Sequence, residues 1–199
     1  MIEYADARAL VLAAARSLPA EAVPLAAALG RTAARDVKAR EPVPPFTKAT
    51  MDGYAVRAGD TRRAAGGDEA GARSDVTLDV LEDLPAGRTP RRAVGPGQAV
   101  RIMTGAPLPR GADAVVMVED TEASGLTVRV RREVRPGDNI GLLGEDLGKG
   151  DLVLARGTLI GPAEIGLLAA AGQARVPAAR RPRVAVIATG DELVEPGER

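Results

Sequence analysis

With 199 residues, the chain has room for one large domain or two small ones, with enough interior for a real core. Its 27 lysines and arginines balance 27 aspartates and glutamates, which removes the electrostatic basis for nonspecific nucleic-acid binding. There is no cysteine and no histidine, so Cys/His zinc sites, thiol nucleophiles and Ser-His-Asp triads are excluded, and any metal must be held by oxygen, which favours magnesium-like ions.

Residues 4–18 read as an amphipathic helix, with Ala7, Leu10, Val11, Ala14 and Leu18 at helical spacing and Pro19 beyond its end. Residues 25–29 suggest a second, short helix stopped by Gly30. From Pro42 onward the signals are mostly β. Residues 64–74, rich in Gly, Ala and charge, read as a mobile loop. Val76, Leu78 and Val80 alternate, and Leu126, Val128 and Val130 alternate against Thr127, Arg129 and Arg131, the pattern of half-buried strands. A strand is expected at 151–154, and 162–171 reads as a helix with proline in its first turn. Residues 183–188 form a continuous apolar run, typical of a strand buried on both faces of a parallel sheet. It leads into Thr189-Gly190-Asp191-Glu192, the position where open α/β sheets bind ligands. Too few residues follow to supply a crossover helix and a parallel neighbour. There is no internal repeat.

One Phe, two Tyr and no Trp leave the core to Val, Leu, Ile and Ala and give no material for base-stacking platforms. Two of these aromatics, Phe46 and Tyr54, flank one turn, where anchoring in the packing is the simpler reading. No run approaches the ~20 apolar residues that span a bilayer, and no signal-peptide pattern opens the chain. The expected location is therefore the cytoplasm, with neither membrane nor nucleic acid as partner.

The most informative stretch is Pro44-Pro45-Phe46-Thr47-Lys48-Ala49-Thr50-Met51-Asp52-Gly53-Tyr54-Ala55. Pro42 to Pro45 make a semi-rigid extended arm. Asp52-Gly53 is expected to form a tight reversal, with glycine accepting a positive φ. A second segment, Val100-Arg101-Ile102-Met103-Thr104-Gly105-Ala106-Pro107, ends a strand in a Pro/Gly loop before another strand from Asp113. A third runs from Gly137-Asp138-Asn139-Ile140 to Gly144-Glu145-Asp146. The glycines between 144 and 150 lack the spacing of a phosphate loop, and Gly95-Pro96-Gly97 lacks the final glycine of a dinucleotide fingerprint. Asp52, Asp146, Asp191 and Glu192 each sit in or beside a glycine turn. Such acids either cap their own turns or, converging, make an oxygen-ligand magnesium site. Thr104 adds a hydroxyl suited to a phosphate or oxyanion, or simply to its turn.

With Ala188-Thr189-Gly190-Asp191-Glu192-Leu193, these four segments, in this order, resemble the molybdopterin molybdenumtransferase family, whose members include MoeA and the E domain of gephyrin. The resemblance runs from about Leu25 to the last residue. It implies a mixed α and β fold, mostly β, of the elongated multi-domain MoeA N-terminal type. Residues 1–45 and 136–175 would form a linking and dimerisation domain, 46–135 an inserted β-rich domain, and 176–199 the first strand of a truncated α/β molybdopterin-binding domain. The implied reaction inserts molybdate into adenylylated molybdopterin with magnesium, releasing AMP. Asp52, Thr104, Asp146 and Glu192 would line the catalytic site. Gly53, Gly105, Asn139 and Gly190 would contact the bound cofactor, and Asp52, Asp146, Asp191 and Glu192 would hold the metal. A homodimer is implied, with molybdopterin adenylyltransferase and molybdoenzyme acceptors as further partners. Thr47, Lys48 and Ala49 stand where the family more usually shows an acidic or amide residue, a polar residue and serine, and Gly141 stands where arginine is common. The family's third domain is missing, so the chain reads as a fragment or a split subunit, and a non-catalytic dimerising scaffold is the competing reading.

Overall fold

The computed structural model describes residues 2–62, 75–187, 190, 192, 194, 196 and 197. The expected loop at 64–74 lies outside them. In chain order the elements are α1 (Tyr4–Ala14), β1 (Ala20–Pro24), β2 (Val37–Lys38), β3 (Lys48–Ala49), β4 (Gly53–Val56), β5 (Val76–Leu84), β6 (Gln98–Ile102), β7 (Ala114–Met117), β8 (Thr121–Ser124), β9 (Thr127–Val130), β10 (Ile140–Gly141), β11 (Leu152–Leu154), α2 (Pro162–Ala170) and β12 (Arg175–Ala179). The fold is thus mostly β with two α-helices among the described residues. Among the described residues, no helix is long and apolar enough to cross a membrane. The chain divides into two compact units, 1–38 with 152–199, and 39–151.

In the first unit, β1 pairs antiparallel with β12 and β2 with β11. Arg31, buried, forms an ion pair with Glu21 and donates to the Ala179 carbonyl at 2.7 Å. Pro162 opens α2, Glu164 accepts the Gly161 N–H at 2.9 Å, and Leu168 is the helix's fully buried anchor. The expected helix at 25–29 is a single 3₁₀ turn over Leu25–Ala27. No residue of α1 is buried, and Tyr4, Leu10, Val11 and Leu12 are all exposed. α1 ends at Ala14, short of the expected residue 18.

The apolar run at 183–187 is no strand. Val184, Val186 and Ile187 are exposed, and no described segment pairs with them. A strand exists only by hydrogen bonding to a neighbour, and apolar content cannot substitute for one.

The second unit is built on a six-stranded sheet in the order β7-β4-β6-β5-β9-β8. All its pairings are antiparallel except β5 with β6. β4 lies inside it, and every residue of Gly53–Val56 is buried. Tyr54 and Val56 join Ala114, Val116, Leu78, Val128 and Val130 on one face. Ala55 joins Val100, Ile102, Val115 and Leu84 on the other. Each fully buried Val or Leu contributes roughly 1.5–3 kcal/mol, so covering both faces fixes β4 firmly. The alternation read at 128–130 holds, with Val128 and Val130 buried and Arg129 exposed, whereas Leu126 is 81% exposed in the turn before β9.

Candidate active site

The proline arm is tied to the 144–147 loop. Val43 donates to the Leu147 carbonyl at 2.8 Å, Asp146 donates to Val43 at 3.0 Å, and Gly144 to Pro44 at 2.9 Å. β3 follows and is held on both sides. It pairs with β10, and the Ala49 and Gly105 amides exchange bonds with the Ala106 and Ala49 carbonyls at 3.0 and 2.9 Å. The chain then bends through Thr50–Asp52 into β4. These bonds bring three segments distant in sequence to one edge.

At that edge lies Asp52. Its Oδ1 accepts two hydrogen bonds from Thr104, one from the backbone N–H and one from the hydroxyl, both at 2.7 Å. Its carbonyl accepts the Val118 N–H at 3.0 Å. The carboxyl is exposed, and its pKa is lowered, chiefly by the Thr104 hydroxyl and then by the Thr104 amide. Asp52 is therefore an ionised carboxylate held by one oxygen, with Oδ2 available. Because the Thr104 hydroxyl donates to Asp52, its lone pairs are what it can offer a ligand, which suits a cation better than an oxyanion.

Thr104 and Gly105 occupy the central positions of a turn closed by the Ala106 N–H on the Met103 carbonyl at 3.0 Å. Gly105 has φ +84°, as the third residue of a type II turn requires. Gly53 differs from expectation. Its φ is not positive, and it opens β4 rather than serving as the left-handed residue of a reversal. Glycine is required because a Cβ there would overlap the Val116 carbonyl of β7. Asn139 has φ +56°, donates from its side chain to the Val115 carbonyl at 2.8 Å, and accepts the Thr50 N–H through its own carbonyl at 3.0 Å. In this structure it is a brace behind the Asp52 bend.

Asp146 is exposed on the loop that grips the proline arm, and its carboxylate has no partner among the described residues. Gly190 and Glu192 belong to the other unit, where the Glu192 carboxylate folds against Gly190. Asp191 lies outside the described residues. Among the described residues, no group of three or more acidic side chains is close enough to hold a metal ion. Within the second unit, Asp52, Gly53, Thr104, Gly105 and Asn139 are thus brought together, and no hydrogen bond or ion pair joins the Asp146 carboxylate to them.

Lys48 completes the edge. It faces Gly141 across the β3–β10 pair, and a Cβ at position 141 would stand 3.4 Å from Lys48 Cε and 2.6 Å from Glu145 Oε1. A side chain at 141 would therefore press first on the Glu145 carboxylate and only touch the lysine stem. The sequence signal is the paired departure of positions 48 and 141, uninterpretable until the strands are seen to be partners.

The donor set fits magnesium. That ion is ordinarily held by one or two carboxylates, with water and substrate phosphates completing its shell. Asp52 Oδ2 and the outward lone pairs of Thr104 supply hard oxygen without a closed cage.

The family description "MoeA N-terminal region (domain I and II)" matches residues 2–172. The chain belongs to this family. It is 45% identical over 175 residues to molybdopterin molybdenumtransferase 2 of Mycobacterium tuberculosis, a match covering 88% of this chain and 42% of that protein. It is 43% identical over 188 residues to the molybdopterin molybdenumtransferase of Bacillus subtilis (strain 168), covering 89% and 42%. The crystal structure of the molybdopterin biosynthesis MoeA protein from Pyrococcus horikosii superposes with a TM-score of 0.83 at 39% identity, over 100% of this chain and 49% of that one. The MoeA-type chain described here spans less than half the length of these relatives.

Replacing Thr104 by valine removes the hydroxyl donor and keeps the amide. The Asp52 pKa should then rise toward its ordinary value. Since the native shift is downward, the ionised state and its hydrogen bonds persist until the pH falls through that lowered pKa. In Thr104→Val that loss should occur at higher pH. A carboxyl titration of Asp52 followed by NMR, identical in wild type and variant, would refute this.

Proposed function

We propose that this chain supplies one wall of the active site of a molybdopterin molybdenumtransferase, a transferase that inserts molybdate into adenylylated molybdopterin and releases AMP. The observation carrying this reading is the ionised Asp52 carboxylate, fixed by two Thr104 donors at 2.7 Å on the edge of a fully packed sheet. Family membership and the names of the relatives point to the same chemistry. When bound, magnesium would neutralise charge on the substrate's phosphates and on molybdate. Asp52 and Thr104 would hold that ion by oxygen. Lys48 would attract the anionic substrate from the neighbouring strand. Asp146, Asp191 and Glu192 would complete the metal-binding set, and Gly53, Gly105, Asn139 and Gly190 the cofactor surface. The reading is tested by molybdenum insertion in the complete protein with and without magnesium. Insertion that needs no divalent ion would remove the metal-binding role.

A homodimer is also proposed, in the cytoplasm, with molybdopterin adenylyltransferase and molybdoenzymes as exchange partners. Its support is α1, whose Tyr4, Leu10, Val11 and Leu12 are exposed with no buried residue in the helix. Light scattering should give twice the chain mass for the complete protein, and a monomer mass would refute the dimer. A dimer without any insertion activity would instead favour the non-catalytic scaffold.

A further inference from the structure

Beyond the Asp52 edge, the connection from β5 to β6 borders a cavity of about 760 Å³. Its lining includes Glu82, Asp83, Arg88, Thr89 and Arg91. The two carboxylates are already engaged. Glu82 Oε1 accepts the backbone N–H groups of Arg91 and Arg92, each at 3.0 Å. Asp83 lies 3.7 Å from the Arg101 guanidinium. Arg88 and Arg91 are exposed and form no ion pair among the described residues. With Asp83 facing Arg101, the two guanidiniums outnumber the remaining Glu82 carboxylate, whose Oε1 is taken up by the loop amides, and the balance in the cavity is positive.

The loop bearing these arginines is anchored, not merely solvated. Glu82 pins it from inside, and Pro85 and Pro90 restrict its backbone. It also abuts the candidate site. The Met103 amide donates to the Leu84 carbonyl at 3.1 Å, and a Cβ at Gly105 would stand 3.9 Å from the Ala86 Cβ. The arginine loop and the Thr104–Gly105 turn are adjacent segments of one surface within one unit.

We propose that Arg88 and Arg91 form a subsite for the phosphate oxygens of a phosphoanhydride ligand that reaches across to Asp52. The identity of that ligand as the adenylylated substrate rests on the function proposed above; the anion chemistry does not. Guanidinium forks match phosphate oxygens two at a time, which a lysine cannot do. The chemistry also divides sensibly, with cation-holding oxygens at Asp52 and Thr104 and anion-holding nitrogens beside them.

The test uses inorganic pyrophosphate as probe, titrated calorimetrically into the complete protein without magnesium. Wild type should bind saturably. The double variant Arg88→Gln, Arg91→Gln should bind at least about tenfold more weakly, and Arg88→Lys, Arg91→Lys should fall between, because charge survives but the fork does not. Equal affinity in wild type and the glutamine variant, or no saturable binding at all, overturns the subsite. The insertion assay separates the two readings. If Asp52→Asn abolishes insertion while the glutamine variant keeps wild-type KM and pyrophosphate affinity, the subsite fails and the proposed function stands. If the arginines are needed for pyrophosphate but no form inserts molybdenum, the subsite stands and the substrate's identity fails.

Discussion

Replacing Asp52 by asparagine or alanine in the complete protein should lower molybdenum insertion by at least about 100-fold, with the thermal midpoint little changed. The large effect follows from charge. The carboxylate is the ionised acid at the edge where β3, β4 and the Thr104 turn meet, and in the metal-holding role proposed for it, its loss would remove both binding and charge neutralisation. The small effect on folding follows from exposure. An asparagine side chain can still accept from Thr104, and an alanine would leave the Thr104 donors facing water, so stability should change little. Insertion at the wild-type rate would eliminate Asp52 from the chemistry. A collapse of the melting transition would show that its role is structural.

Gly53→Ala should show the opposite pattern. A methyl group at position 53 cannot be housed, because it would overlap the Val116 backbone carbonyl, and β4 is flanked on both sides by paired strands. Relief requires moving β7 or breaking its pairing. We expect a loss of about 3 kcal/mol, at the upper end of overpacking effects, and a fall in the thermal midpoint of roughly 10 °C. Denaturant unfolding of the purified variant measures it directly. A Gly53→Ala protein with native stability and impaired ligand binding would reassign the glycine to ligand contact.

The two substitutions separate what the sequence made legible from what it hid. The β content was visible wherever one face of a strand is wet, as at Val128, Arg129 and Val130, because alternation records a two-sided environment. β4 carries no such alternation, since both faces are covered. Asp52-Gly53 therefore looked like a reversal, and its glycine was explained by φ when steric approach is the cause. The run at 183–187 misled in the other direction, since its composition is that of a buried strand yet nothing described pairs with it. Asp52 and Thr104 lie 52 residues apart. Only their place in a family pattern linked them; no local spacing could have set that carboxylate against that turn. The pairing of Lys48 with Gly141 across two strands was likewise hidden until register was known.

The position of β4 has a consequence for how the protein is made. Its partners β6 and β7 end at Ile102 and Met117, far downstream. At ~5–20 residues per second of synthesis, β4 leaves the ribosome roughly 3–12 s before β7 can pair with it. Until β6 emerges, Tyr54, Ala55 and Val56 form a short apolar segment with two open edges, and until β7 emerges one edge stays open to association between nascent chains. Asp52 precedes it and Arg57 follows it, one charge at each end, as gatekeeper residues do in aggregation-prone strands. The same carboxylate that marks the edge of the finished sheet thus guards the strand before the sheet exists.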